Sequence, residues 1–157
     1  MKGKILIVYY SLSGRTKLVA ECIKEITNGD IEELVLDKPY SKLSSFTKGL
    51  VNIKSGKYPK ITNKVDVTNY ETIFIGAPTW YFTLNPVMSS FLKETDLTGK
   101  EVYPFYTNEG AKGDSFERVK ELAKNANVHD DLAVTFVKNK STDKIVSILK
   151  EWIDRND

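Results

Sequence analysis

The chain has 157 residues, a length that suits one domain with a substantial core, and its 41% apolar and 28% charged residues exclude disordered and fibrous classes. A formal net charge of +2 is too small to mark a nucleic-acid binder, and a single cysteine excludes an internal disulfide or a cysteine-built metal cluster. No run approaches the roughly 20 apolar residues needed to span a bilayer, and the apolar run at 5–10 is too short for a secretion-signal core, so a cytoplasmic location is expected.

Residues 4–10 (KILIVYY) form a nearly continuous apolar, β-branched and aromatic run, as expected of a strand covered on both faces. A hydroxyl-rich turn follows, then a helical pattern over 14–28 with Leu18, Val19, Cys22, Ile23 and Ile26 on one stripe. Residues 31–36 read as a second strand and 72–77 (TIFIGA) as a third. Asn85 and Pro86 have the form of an N-cap followed by proline at the first helical position, opening a helix that runs to about 95. Residues 101–106 predict a fourth strand, 114–126 a helix, 132–137 a fifth strand, and Ile145, Ile148, Leu149, Trp152 and Ile153 the buried stripe of a last helix.

Strands alternating with helices imply parallel pairing through right-handed crossovers. The fold class is therefore α/β, a doubly wound five-stranded parallel sheet in the order 2-1-3-4-5. Its switch point lies between strands one and three, and ligands bind beyond the carboxyl ends of strands at that point. One domain is expected over 1–157. Residues 38–64 carry seven lysines and no acid, which leaves the rest of the chain near −5 against the total of +2. This segment is a lysine-rich insertion or lid after strand two, with room for a short helix near 45–53.

Three loops carry candidate chemistry. Ser11, Leu12, Ser13, Gly14, Arg15 and Thr16 lie between strand one and helix one. A phosphate there would meet helix-start N–H groups, the positive end of the dipole and three hydroxyls; the simpler reading is a polar turn that caps the helix. Pro78, Thr79, Trp80, Tyr81, Phe82 and Thr83 follow strand three. Their aromatic rings suit stacking on a flat ring, or else form ordinary core and rim. Thr107, Asn108, Glu109, Gly110, Ala111, Lys112 and Gly113 follow strand four, and two glycines suit backbone that folds round a ligand edge or a plain flexible connector. Neither the nucleotide P-loop pattern nor the dinucleotide fingerprint is present. Cys22 reads as packing, and His129 has no companions for a metal site.

Together the loops resemble one family. YYSLSGRTKLVAECI is similar to the flavodoxin phosphate signature, IFIGAPTWYFTLNPVMSSFL to that family's third strand and tryptophan loop, and GKEVYPFYTNEGAKG to its fourth strand and second flavin loop. The resemblance implies a flavodoxin-like three-layer sandwich that binds FMN without a covalent bond. Carried over by position, residues 11–16 would hold the phosphate, Thr79 and Trp80 would line the ring, and Thr107, Asn108, Gly110 and Gly113 would wrap the pyrimidine edge. Pro78, Tyr81, Phe82 and Glu109 complete the implied cofactor site, which includes no metal and no catalytic side chain.

Three features depart from the family pattern. Arg15 stands where many members have asparagine, and solvent is its expected direction rather than phosphate. Tyr81 follows Trp80 where many one-electron shuttles have glycine, and a tyrosine in a flipped peptide there would be strained. The tyrosine that often covers the outer ring face is missing from the third loop. The leading expectation is an electron-transfer protein serving a redox protein partner or a small-molecule electron acceptor, monomeric or weakly dimeric, with no nucleic acid or membrane partner. The alternative is an FMN-dependent NAD(P)H quinone or nitro-compound reductase, which leaves open whether the chain is an enzyme.

Overall fold

The computed structural model describes residues 1–136 and 140–156. The chain runs β1 (Ile5–Tyr9), α1 (Arg15–Thr27), β2 (Asp30–Glu33), α2 (Lys42–Ser55), β3 (Thr72–Pro78), α3 (Pro86–Glu94), β4 (Glu101–Asn108), α4 (Ser115–Leu122), β5 (Asn127–Val128), β6 (Leu132–Thr135) and α5 (Thr142–Asn156). The sheet is parallel throughout its paired strands, in the order β2-β1-β3-β4-β5, and β6 also pairs with β4. The expected order is thus present, with the fifth position filled by two short segments in place of one strand.

Side chains alternate between two cores, which is why the central strands are apolar almost without interruption. Leu6, Val8, Ile73, Ile75 and Val102 pack with Val87, Phe91 and Val119 from α3 and α4. Ile7, Phe74, Tyr103 and Phe105 point the other way, onto Val19 and Ile23 of α1 and Leu149 and Trp152 of α5. Each such Leu, Ile or Phe contributes roughly 1.5–3 kcal/mol by leaving water. Cys22 belongs to the second core and is 3% exposed, so it packs, and burial raises its thiol pKa.

Local signals place the helix starts. The Asn85 side chain accepts from the Val87 N–H at 2.9 Å, with Pro86 at the first helical position. Gly14 caps α1 at φ 84°, in the left-handed region. The helix read near 45–53 is longer: Ser41 and Ser44 form a reciprocal capping box that opens α2. It supplies the crossover from β2, over β1, to β3.

Four expected boundaries moved. Strand β2 ends at Glu33, yet Leu34 and Leu36 stay buried, Leu36 through an antiparallel bridge to Ile61. Strand β4 continues to Asn108, two residues beyond the expected end. Helix α4 stops at Leu122, and Asn125 at φ 64° turns the chain away before 126. The strand expected over 132–137 is present as β6 from Leu132 but ends at Thr135, and a short β5 precedes it; between the two His129 stacks on Tyr103 at 4.1 Å and the Trp152 indole N–H donates to the Asp130 carbonyl at 2.8 Å. Val137, the expected end of that strand, lies outside the described residues.

Candidate cofactor site

Register brings the loops together. Strands β3 and β4 pair from Thr72↔Glu101 to Pro78↔Thr107, so their carboxyl ends are level, and β1 pairs with β3 from Ile5↔Thr72 to Tyr9↔Gly76. Past these ends the Thr79 N–H donates to the Thr107 carbonyl at 2.9 Å, continuing the ladder into the loops. The two hydroxyls of Thr16 and Thr107 lie 2.7 Å apart in the buried interior, joining the first loop to the third. Residues 11–16, 78–83 and 107–113 therefore share one rim, at the switch point between β1 and β3.

The first loop is a nest of donors. Ser11 Oγ accepts from the Gly14 N–H at 3.1 Å, and Gly14 places no side chain in the open space before it. The first turn of α1 contains no acidic residue. Among the described residues, no protein acceptor meets the N–H groups of Arg15, Thr16 and Lys17, the usual orphans of a helix start. Their dipole favours an anion. Arg15 itself turns aside, to a salt bridge with Glu109, and its guanidinium lies 5.4 Å above the Phe136 ring. Arg15, expected to face solvent, and Glu109, carried over as part of the cofactor site, are thus a pair that ties loop one to loop three.

The second loop is a tight reversal. Trp80 and Thr83 exchange backbone hydrogen bonds of 3.3 and 3.0 Å, and the two residues between them, Tyr81 and Phe82, have φ of 52° and 59°. Two successive left-handed residues are the mark of a type I′ turn, where glycine or asparagine is usual. Aromatic residues there store strain on the order of 1–2 kcal/mol each. Phe82 is nevertheless 70% exposed, and Tyr81 is 41% exposed. Trp80 is half-buried, its ring edge-on to Tyr40 at 5.0 Å and to Tyr10 at 6.2 Å. On the α2 side Gly49 leaves room for it: an added Cβ would stand 3.0 Å from Trp80 Cε3. Burial, with Tyr40 and Glu33 adding, pushes the Tyr10 hydroxyl up to about 12, so this wall is uncharged near neutral pH.

The third loop is clamped to the second. The Asp114 N–H donates to the Phe82 carbonyl at 3.0 Å. Asn108 Oδ1 accepts from the Gly110 N–H at 3.1 Å and from the Thr135 hydroxyl at 3.0 Å. Two polar groups on this rim, Asn108 Nδ2 and Thr79 Oγ1, are buried with no protein partner. A buried donor or acceptor left unpaired costs about 1–3 kcal/mol. Among the described residues the Asn85 amide nitrogen and the Tyr106 hydroxyl are orphaned in the same way, and Thr79 and Asn108 are the two that lie on the loops of this rim.

Sequence reasoning missed Tyr10, Tyr40 and Gly49 as the setting of Trp80. Tyr40 sits at the start of the lysine-rich segment, far from every loop motif, and only the α2 crossover carries it to Trp80.

The chain matches the flavodoxin family over residues 4–156. A flavoprotein from Lactobacillus acidophilus, solved in complex with FMN, is 26% identical with a TM-score of 0.76, over 97% of this chain and 99% of that one. A Bacteroides uniformis protein inferred to be a flavoprotein superposes with a TM-score of 0.82 at 24% identity, over 96% and 99% of the two chains. Flavodoxin 2 from Bacillus cereus shares the fold at 17% identity with a TM-score of 0.56, over 97% and 99%. With nearly its whole length matched and its loops gathered at the switch point, the chain belongs to the flavodoxin family.

Proposed function

We propose that this protein is an electron carrier that binds one FMN non-covalently on the rim formed by its three loops. The observation that carries this reading is the pairing of an anion-ready helix start at 14–17 with two orphaned buried polar groups, Thr79 Oγ1 and Asn108 Nδ2. The residues fit the group. The N–H groups and hydroxyls of residues 11–16 hold the phosphate, without a cationic side chain. Pro78, Thr79, Trp80, Tyr81 and Phe82 line the ring, and Thr107, Asn108, Gly110 and Gly113 meet its polar edge. Glu109 acts at a distance, by keeping Arg15 off the phosphate. FMN supplies the redox chemistry when bound; the chain supplies binding, orientation and electrostatics.

The electron partner is a redox protein or a small acceptor, and the working unit is a single domain, monomeric or weakly dimeric, in the cytoplasm. Among the described residues no helix is long and apolar enough to cross a membrane. An absorbance spectrum tests the reading. Protein mixed with FMN and desalted keeps flavin bands, and NADPH alone leaves them unbleached. A colourless protein removes the cofactor, and rapid bleaching by NADPH makes the protein a reductase instead.

A further inference from the structure

The lysine-rich segment forms a surface of its own. Behind Tyr40, between α2 and the chain leaving it, lies a cleft of about 410 Å³ whose walls include Lys38, Lys48 and Lys60. Asp37 is the carboxylate on that wall. Among the described residues, Lys38, Lys48, Lys54, Lys57 and Lys60 form no salt bridge, whereas Lys2, Arg15, Lys112 and Arg118 each pair with an acid. Among the described residues, then, no salt bridge neutralises these lysines, and Asp37 is the acid that stands with Lys38, Lys48 and Lys60 on the cleft wall.

Apolar surface accompanies the charge. Leu43 and Val51, two turns apart along α2, are 80% and 61% exposed, and Val51 lines the cleft beside Lys48. Val51, exposed in a cleft shared with Lys38, Lys48 and Lys60, and Leu43 on the same helix give this face the make-up of a protein-docking patch, with apolar surface beside cations. The patch is also well placed. Its wall residue Tyr40 is held by the Asn52 amide, which donates to its hydroxyl at 2.6 Å, and the Tyr40 ring lies 5.0 Å from Trp80. One aromatic ring separates the cleft from the loop assigned to the flavin.

We infer that the α2 face is the docking surface for an acidic protein partner, recognised by Lys38, Lys48 and Lys60 of the cleft together with the exposed Val51 and Leu43 of the same helix. The inference deepens the electron-carrier reading and rests on it for the partner's purpose. Charge complementarity of this kind steers association and fixes the docked orientation, and it weakens with salt.

The test uses FMN-treated, isotope-labelled protein, with flavin loading read separately from visible absorbance. Oxidised plant-type ferredoxin, an acidic [2Fe–2S] protein, is titrated in while amide NMR signals are followed; ferric cytochrome c is the basic control. Shifts concentrated at residues 38–60 with ferredoxin, absent with cytochrome c and lost at high salt, support the inference. Replacing Lys38, Lys48 and Lys60 by Glu weakens ferredoxin binding at least about tenfold, while Lys24, Lys124 and Lys150 replaced by Glu change it less than about threefold. Equal losses in the two triple variants, or shifts spread over the whole surface, overturn it. Shifts at 38–60 with NADPH but not with ferredoxin give the cleft to a small phosphate ester and also overturn it. The binding readout needs no electron transfer, so a protein that takes up no flavin defeats the carrier reading while the surface is still tested.

Discussion

Gly113 lies against the backbone of Phe82: a Cβ on Gly113 would stand 1.7 Å from the Phe82 carbonyl oxygen and 2.3 Å from its carbon. The contact locks the second and third loops to each other, and the obstacle is main chain that cannot rotate away. Gly113 also has φ of 56°, which disfavours any side chain. Gly113→Ala is therefore expected to cost about 1–3 kcal/mol of stability and to weaken FMN retention. Urea unfolding and a flavin titration of the same variant check both effects.

The strain in the Trp80–Thr83 turn has an opposite consequence. Phe82 is mostly exposed at φ 59°, so its removal sacrifices little packing. Phe82→Gly is expected to leave stability unchanged or raise it by up to about 1 kcal/mol, because the left-handed penalty disappears. Phe82→Ala keeps that penalty and should show no gain. A paired urea series on the two variants separates conformational strain from the loss of the ring.

Arg15 and Glu109 form an exposed loop-to-loop pair, with Glu109 the more open of the two. Such pairs are worth about 0.2–1 kcal/mol. Arg15→Ala should therefore weaken FMN binding no more than about threefold, and adding Glu109→Gln should change little further. A loss of a hundredfold in an FMN titration would place Arg15 on the phosphate.

Much of this arrangement was legible in the sequence, for reasons that can be named. Strands β1, β3 and β4 are covered on both faces, so their apolar runs stand out, and Asn85-Pro86 announces α3 by local chemistry alone. The type I′ turn was not legible, since three aromatic residues in a row favour extended backbone and only closure of the loops forces Tyr81 and Phe82 to positive φ. The short β5, set off from β6 at 129–131, was hidden for a similar reason. The segment between the two is held by Tyr103 and Trp152, both distant in sequence from His129 and Asp130. Likewise the partners of Trp80 arrive by way of α2, a helix whose lysines and hydroxyls mask its pattern.

Acid should reveal a cluster at the opposite end of β4. Glu101 accepts from Lys2 at 2.8 Å, lies 2.6 Å from His129 Nε2, and accepts from the Asn127 amide at 2.5 Å. Hydrogen bonding to Lys2, then to His129, lowers its pKa from 4.5 to about 2. A lowered folded-state value means stability that is present above about pH 4.5 and lost as pH falls toward about 2. Glu101→Gln should be less stable than the parent near neutral pH, and the difference should shrink across that window. Thermal unfolding at a series of pH values reads it directly.

The central claim is that the rim of loops 11–16, 78–83 and 107–113 holds FMN by its phosphate and its ring together. Titrating the protein with FMN and with riboflavin, following quenching of the flavin fluorescence, tests it most directly. One FMN per chain should bind, with riboflavin weaker by at least about a hundredfold because it offers nothing to the start of α1. Equal affinity for the two flavins would contradict the phosphate site, and no quenching by either would contradict the flavin site altogether.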